Sequence, residues 1–267
     1  MKERVGIIGL GVVGEAVKYG MEKLGHDIYI HDLKLDSNIE DILQTDICFI
    51  CVPTPAKKSS ECDISIVKSI LEDLHRCNYK GIIAIKSTIP PTTTINFQKQ
   101  YDNEKICFVP EFLRERCANE DFTENHDVCV IGSTSEDICQ YIKHIHGNFP
   151  RNVVFLEPTE AEIVKYLNNI YAATLVTLAN NFFEVCDSTG ADYTKVIEAF
   201  FKRDHVNKDY LDCNDNLRGY AGPCLPKDVQ AMAYLSKAIN INARIFEFLD
   251  EENKNFKPTV KEGMRIE

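Results

Sequence analysis

No apolar run in the 267 residues reaches membrane-spanning length; the first, 5–10, is short and broken by glycines. Neither a signal peptide nor a membrane anchor is expected. Basic residues are in deficit, 30 against 41 acidic, for a formal charge of -11. A phosphate backbone wants a basic footprint, so nucleic acid is not expected as a partner. An anionic small ligand is still allowed, because helix amides and a few lysines make a local positive site. Repeats and low-complexity tracts are missing too. Cys48-Phe49-Ile50-Cys51 has the spacing of half a zinc site, but no matching Cys/His pair follows, so no metal is expected. The eleven cysteines are an odd number, scattered, and several fall in strand-like runs where a thiol is a small hydrophobe. That usage fits a reducing, cytoplasmic compartment.

What is present is patterned. Short β-branched runs at 4–8, 27–31, 47–52, 82–86, 106–109, 128–131 and 153–156 alternate with amphipathic stretches such as 15–24, 64–74 and 136–145. The pattern predicts an α/β domain over 1–157, a Rossmann-like, mostly parallel sheet with its ligands at the carboxyl edge. From 158 the character changes. The segment 160–188 has no proline or glycine, and its apolar residues wrap most of a helical circumference. An all-helical second domain over 158–250 follows, with this long helix covered by its own domain or by a second copy of the chain, as in a homodimer. Further helices are expected at 193–201 and 228–248. The charged remainder, 251–267, contains Pro258 and Gly263 and reads as a loosely packed tail.

The first chemistry-bearing motif is Gly9-Leu10-Gly11-Val12-Val13-Gly14, between a strand and a helix, with Asp32 closing the next strand. Gly9 suits a tight turn, Gly11 a close backbone approach to a pyrophosphate, and Gly14 close helix–sheet packing. Free amides at the helix start, around Val12 and Val13, receive phosphates. Asp32 is placed to accept from ribose hydroxyls and to repel a 2'-phosphate, which favours NAD over NADP; Lys34 softens that preference. The second motif is Gly219-Tyr220-Ala221-Gly222-Pro223-Cys224-Leu225-Pro226-Lys227-Asp228, a cysteine ahead of a helix start. A helix start or a nearby cation activates a thiol.

Together with Val52-Pro53-Thr54-Pro55, Lys86-Ser87-Thr88-Ile89-Pro90, Pro110-Glu111-Phe112-Leu113-Arg114-Glu115 and the stretch 162–169, these motifs fall in one order. In that order the chain resembles the nucleotide-sugar (UDP-glucose/GDP-mannose) 6-dehydrogenases. The resemblance implies NAD-dependent, four-electron oxidation of a nucleotide sugar, UDP-glucose to UDP-glucuronate first among them. It makes Cys224 the nucleophile that captures the aldehyde as a thiohemiacetal and then becomes a thioester. It assigns Lys165 and Asn169, four apart on one helix face, to the sugar oxygens and the developing alkoxide. Asp228 and Thr88 hold a water in alcohol oxidation, and Glu111 serves thioester hydrolysis. The cofactor set extends to Val52, Pro53, Thr54, Ser87, Thr88, Glu115 and Lys227. The substrate set takes in Phe112, Leu113, Arg114, His205, Tyr220 and Gly222.

The chain departs from the family pattern in places. Ala221 and Pro223 stand where glycine and serine are usual, and His205 falls where an arginine is common. Little sequence follows Asp228, so a short form lacking the family's C-terminal nucleotide-clamping domain is expected. Two other functions stay open: an inactive NAD-binding homologue with a structural or regulatory role, and a single-step alcohol or hydroxyacid dehydrogenase, which would not need Cys224 or Glu111.

Overall fold

The structure is a computed structural model that describes residues 2–259. Its elements run β1 (Arg4–Ile8), α1 (Val12–Lys23), β2 (Asp27–His31), β3 (Ile47–Ile50), α2 (Ser65–Arg76), β4 (Ile82–Ile85), α3 (Thr93–Tyr101), β5 (Ile106–Phe108), α4 (Ala118–Phe122), β6 (Val128–Gly132), α5 (Glu136–Ile145), β7 (Asn152–Leu156), α6 (Pro158–Thr189), α7 (Tyr193–Phe200), α8 (Leu225–Ala238) and α9 (Ile245–Asn253). Contacts divide the chain into two compact units. One takes the N-terminal segment through Pro55 together with Asp63–Lys165, and the other takes Ala56–Cys62 and the chain from Tyr166 onward.

The first unit holds one seven-stranded sheet in the order β2-β1-β3-β4-β5-β6-β7. Strands β1 to β5 are parallel; β6 meets β5 antiparallel at Phe108 and Gly132, and β7 runs parallel to β6. All four β3 residues are buried, as expected of a central strand covered on both faces. One apolar layer joins Val5, Ile7 and Phe49 to Val17, Met21, Phe122 and Ile142. A second layer joins Ile8, Ile50 and Ile85 to Val67, Leu71 and Phe97. Cys48 and Cys51 belong to these layers, and burial pushes both thiols up to about 12. Strands β2 and β3 flank β1, so chain direction across the sheet reverses there. That reversal opens a crevice at the carboxyl ends of β1 and β3.

In the second unit, α8 and α9 pack through Val229 and Leu249 on Ile170 and Ala173 of α6, with Tyr220 in the same cluster. Tyr193 of α7 joins Ala179, Cys186, Leu211 and Cys213 in another. The single helix expected over 228–248 is two. Helix α8 stops at Ala238 because Asn240 takes a left-handed backbone (φ 57°). The Ile241 amide then donates to Ser236 O at 2.9 Å and the Asn240 amide to Lys237 O at 3.1 Å, closing the last turn as a Schellman motif. Nor is the whole of 251–267 loosely packed. Residues 251–253 finish α9, and Pro258 forms a parallel bridge with Gly219; residues 260–267 lie outside the described residues.

The left-handed Asn240 gives a test of this helix end. Asn240→Gly is expected to hold or gain stability by up to about 1 kcal/mol, and Asn240→Val to lose about 1–2 kcal/mol, both read by urea unfolding. A valine variant as stable as the parent contradicts the assignment.

Candidate active site

In the first unit the glycine loop leaves β1 with no room for side chains. Gly9 has φ +90°, and a Cβ there would stand 2.8 Å from Cys51 O; a Cβ on Gly14 would stand 2.0 Å from Gly9 O. The loop therefore lies flat between β1 and α1, whose first amides have no partner within the helix. Asp32 does more than end β2. Its carboxylate accepts from the Leu10 amide at 2.6 Å and the Lys34 amide at 2.8 Å, and these bonds hold its pKa below the usual range. One carboxylate thus braces the glycine loop and fixes the turn carrying Lys34. After β3 and β4, Ser87 Oγ donates to Val52 O at 2.7 Å, tying the two strand-end loops together. Thr54 and Thr88 are buried beside them in sequence.

The loop after β5 carries the charged centre of this unit. Lys165 Nζ, on α6, donates to Glu111 Oε1 at 2.9 Å and to Glu111 O at 2.7 Å. The ammonium lies 5.6 Å from the Phe112 ring centroid. Burial alone would push the Glu111 carboxyl up. Lys165, the Leu113 amide at 2.7 Å and the Lys86 ammonium outweigh it and hold the group below its ordinary value. Arg114 reaches the other way: its guanidinium forks onto Asp121, and its amide donates to the same carboxylate at 2.9 Å. Glu115 opens a short 3-10 turn that leads into α4.

Glu162 carried no role of its own in the sequence. It is fully buried and accepts from the Thr92 amide at 2.6 Å, the Thr94 amide at 2.7 Å and Thr94 Oγ1 at 2.6 Å. It caps the start of α3 from another helix, and burial raises its pKa to about 7 against those bonds. A Glu-x-x-Lys pair on an apolar helix was the available signal. Asp121, the partner of Arg114, had none.

In the second unit Cys224 is the N-cap of α8 and is exposed; each other cysteine of the chain is buried or half-buried. Asp228, in the first turn of α8, is almost fully buried between two donors. Asn169 Nδ2 reaches its Oδ2 at 2.6 Å, and Lys227 Nζ its Oδ1 at 2.5 Å. Asn168 Nδ2 donates to Asn169 Oδ1 at 2.9 Å, so the neighbouring amide helps orient Asn169. Burial pulls the Lys227 ammonium down, but the Asp228 carboxylate more than offsets this and leaves it raised. Tyr220 is buried, its hydroxyl bonded to Leu249 O at 2.9 Å. Of the loop residues Gly222 alone is left-handed (φ 82°). Ala221 is not, so the methyl group costs no backbone strain. His205 sits on an exposed turn after α7.

Two family models match in succession. Residues 30–150 match the NAD binding domain, and 159–255 the central domain, of the UDP-glucose/GDP-mannose dehydrogenase family. The chain belongs to the UDP-glucose/GDP-mannose dehydrogenase family. The UDP-glucose 6-dehydrogenase TuaD of Bacillus subtilis is 31% identical over 222 residues, which are 80% of this chain and 47% of that protein. The chain thus spans about half the length of that curated relative. A UDP-glucose dehydrogenase from Pyrobaculum islandicum shares the fold with a TM-score of 0.88 at 24% identity, over 96% of this chain and 68% of that one. A Mycobacterium tuberculosis 3-hydroxyisobutyrate dehydrogenase, solved with L-serine, also shares the fold (TM-score 0.77, 12% identity) and is covered nearly end to end, 96% against 94%.

The family's NAD-binding domain is therefore the first unit, and NAD its cofactor. The match begins at residue 30, so the glycine loop stands on its own geometry. That geometry fits the dinucleotide: a side-chain-free turn, the open first turn of α1 and a carboxylate at the end of β2.

The Lys165–Glu111 pair makes a sharp test. In the parent, the stability due to ionised Glu111 is present above its ordinary pKa of 4.5 and is lost as pH falls through the depressed value. Lys165→Met leaves a buried carboxylate without its closest cation, at a cost of about 3–5 kcal/mol at pH 7. Its stability should instead improve on mild acidification, as Glu111 takes up a proton. Adding Glu111→Gln should recover part of the loss, read by urea unfolding between pH 4 and pH 8; a flat profile in Lys165→Met contradicts this.

Proposed function

We propose that the chain carries out the NAD-dependent oxidation of the primary alcohol of a nucleotide sugar to a carboxylate, with Cys224 as covalent nucleophile and UDP-glucose as first substrate. The observation that carries this is the setting of Cys224. It is the exposed thiol of the chain, at the amino end of α8, and its electrostatic interaction with the Lys227 ammonium favours a thiolate. When bound, NAD would supply the hydride acceptor, one molecule for each of the two oxidations, and Gly9, Gly11 and Gly14, Asp32, and the loops of Val52, Thr54, Ser87 and Thr88 would hold it.

In this reading Asp228, with Thr88, takes the alcohol proton through a water, and Asn169 and Lys227 fix the carboxylate that does so. Sulfur attack on the aldehyde forms a C–S bond and an alkoxide, which the Lys165 ammonium stabilises. Loss of hydride from the adduct leaves a thioester. Glu111, kept ionised, takes a proton from water as it adds to the thioester carbonyl; the C–S bond breaks, releasing the acid and the thiolate. Arg114 is committed to Asp121 and contributes by holding its loop in place.

A homodimer belongs to the same reading. Leu167, Tyr171, Leu178, Phe182 and Val185 are all exposed along one side of α6 in the single chain. Such a row at helical spacing is the kind of face that a second copy covers. Phe182→Glu with Leu178→Glu is expected to turn a dimer into a monomer in sedimentation equilibrium; an unchanged mass contradicts the interface.

The chemistry is tested with the purified protein, NAD and either UDP-glucose or GDP-mannose. Two NADH per sugar with acid product are expected, and Cys224→Ser should lower this turnover by about a hundredfold or more. A second reading is a single-step alcohol or hydroxyacid oxidation without covalent catalysis, which would need neither Cys224 nor Glu111. Its signature is one NADH per substrate, unaffected by Cys224→Ser.

A further inference from the structure

Three consecutive residues leading to Cys224, Arg218, Gly219 and Tyr220, find hydrogen-bond partners for their backbone in the chain's last described stretch. The Arg218 amide donates to Thr259 Oγ1 at 2.6 Å. The Gly219 amide donates to Lys257 O at 3.1 Å, and the Thr259 amide to Gly219 O at 2.9 Å. Tyr220 is held on both sides by one side chain: its amide donates to Asn253 Oδ1 at 2.9 Å, and Asn253 Nδ2 donates to Tyr220 O at 2.9 Å. The approach is close enough to explain the glycine. A Cβ on Gly219 would stand 2.9 Å from Asn253 Oδ1 and 3.2 Å from Phe256 Cβ. The Arg218 guanidinium adds an anchor to α6, donating to Asn180 Oδ1 at 2.8 Å and pairing with Glu184, with its centre 4.5 Å from the Phe183 ring centroid.

From this we infer that Asn253 is a positioning residue for Cys224, setting the register in which the loop delivers the thiol to the amino end of α8. Only Ala221, Gly222 and Pro223 separate Tyr220 from Cys224. Pro223 has a fixed φ, and at the far end the Asp228 amide donates to Cys224 O at 3.1 Å. A loop this short, pinned at both ends, has few torsions left with which to misplace the sulfur. The two bonds to Tyr220 also account for the residue type. One planar amide offers a donor and an acceptor at the spacing of a peptide group, which a carboxylate or a methyl cannot do. The inference builds on the reading of Cys224 as nucleophile, yet its test needs no substrate.

The measurement is the rate of iodoacetamide alkylation at each cysteine, followed by peptide mass spectrometry on the intact folded protein at pH 7. The half-buried Cys77 and Cys117, both in the first unit, serve as internal references. Asn253→Ala is expected to slow alkylation of Cys224 by about threefold or more and leave Cys77 and Cys117 unchanged, because the sulfur leaves the helix amides and Lys227. Asn253→Asp keeps the acceptor for the Tyr220 amide and should fall between; it also decides the matter if the alanine variant does not fold. An unchanged or faster rate at Cys224, or an equal change at all three cysteines, overturns the inference. Response of Cys224 in a protein that shows no turnover on any sugar upholds the positioning and sinks the catalytic reading alone.

Discussion

Buried polar side chains on helix α6 impose the constraint from which much of the arrangement follows. Glu162, Lys165 and Asn169 are 0%, 3% and 5% exposed on a helix otherwise rich in apolar residues. A buried polar group without a partner costs about 1–3 kcal/mol, and more when charged, so each of the three must recruit one. Glu162 takes the amides at the start of α3, Lys165 takes Glu111, and Asn169 takes Asp228. Glu111 and Asp228 belong to segments that the family resemblance marks as functional. The helix is therefore a ruler as well as a core element. Its first turns fix the loops after β4 and β5 within the first unit, and Asn169 fixes the start of α8 within the second.

The same logic separates what was legible in the sequence from what was not. The alternation of strands and helices, the glycine turn and Asp32 are local patterns with one physical solution, and they were readable. Lys165 and Asn169 stood out because polar residues four apart on an apolar helix need a reason. Partners distant in sequence left no such mark. Nothing in Asp121 announces Arg114, and nothing in Asn253 announces Tyr220, because a hydrogen bond between remote segments has no periodicity to detect. The misplaced helix over 228–248 is a different failure. The apolar residues Ile241, Ile245 and Phe248 keep a helix-like spacing, but Asn240 prefers the left-handed cap to another turn, and tertiary context let it win.

The departures in the cysteine loop weigh less than they did as letters. Alanine in place of glycine at 221 matters only if the backbone there is left-handed, and the left-handed residue is its neighbour Gly222. Pro223 removes an amide donor, but it also removes a torsion just before the thiol. Meanwhile Gly219 is small because Asn253 and Phe256 press on it. The loop is thus built from inside its own unit, with its glycines answering to packing and turn geometry.

That distinction bears on what a chain spanning half of a relative's length can do. Chemistry at a carbonyl needs a nucleophile, a base and a bound cofactor; of the candidates, the carboxylates Glu111 and Asp228 are held by buried contacts. Affinity for a nucleotide sugar needs something else, a grip on the remote diphosphate, whose binding energy supports turnover as well as capture. The Mycobacterium tuberculosis 3-hydroxyisobutyrate dehydrogenase shares the fold over 94% of its own length. What the proposed reading adds to a single-step oxidation is the set Cys224, Glu111 and Asn253. A single hydride transfer uses no covalent adduct. Under the proposed two-step oxidation each has a use: the exposed thiol at a helix start as nucleophile, the buried ionised carboxylate in thioester hydrolysis, and the clamp on the cysteine loop in holding the sulfur.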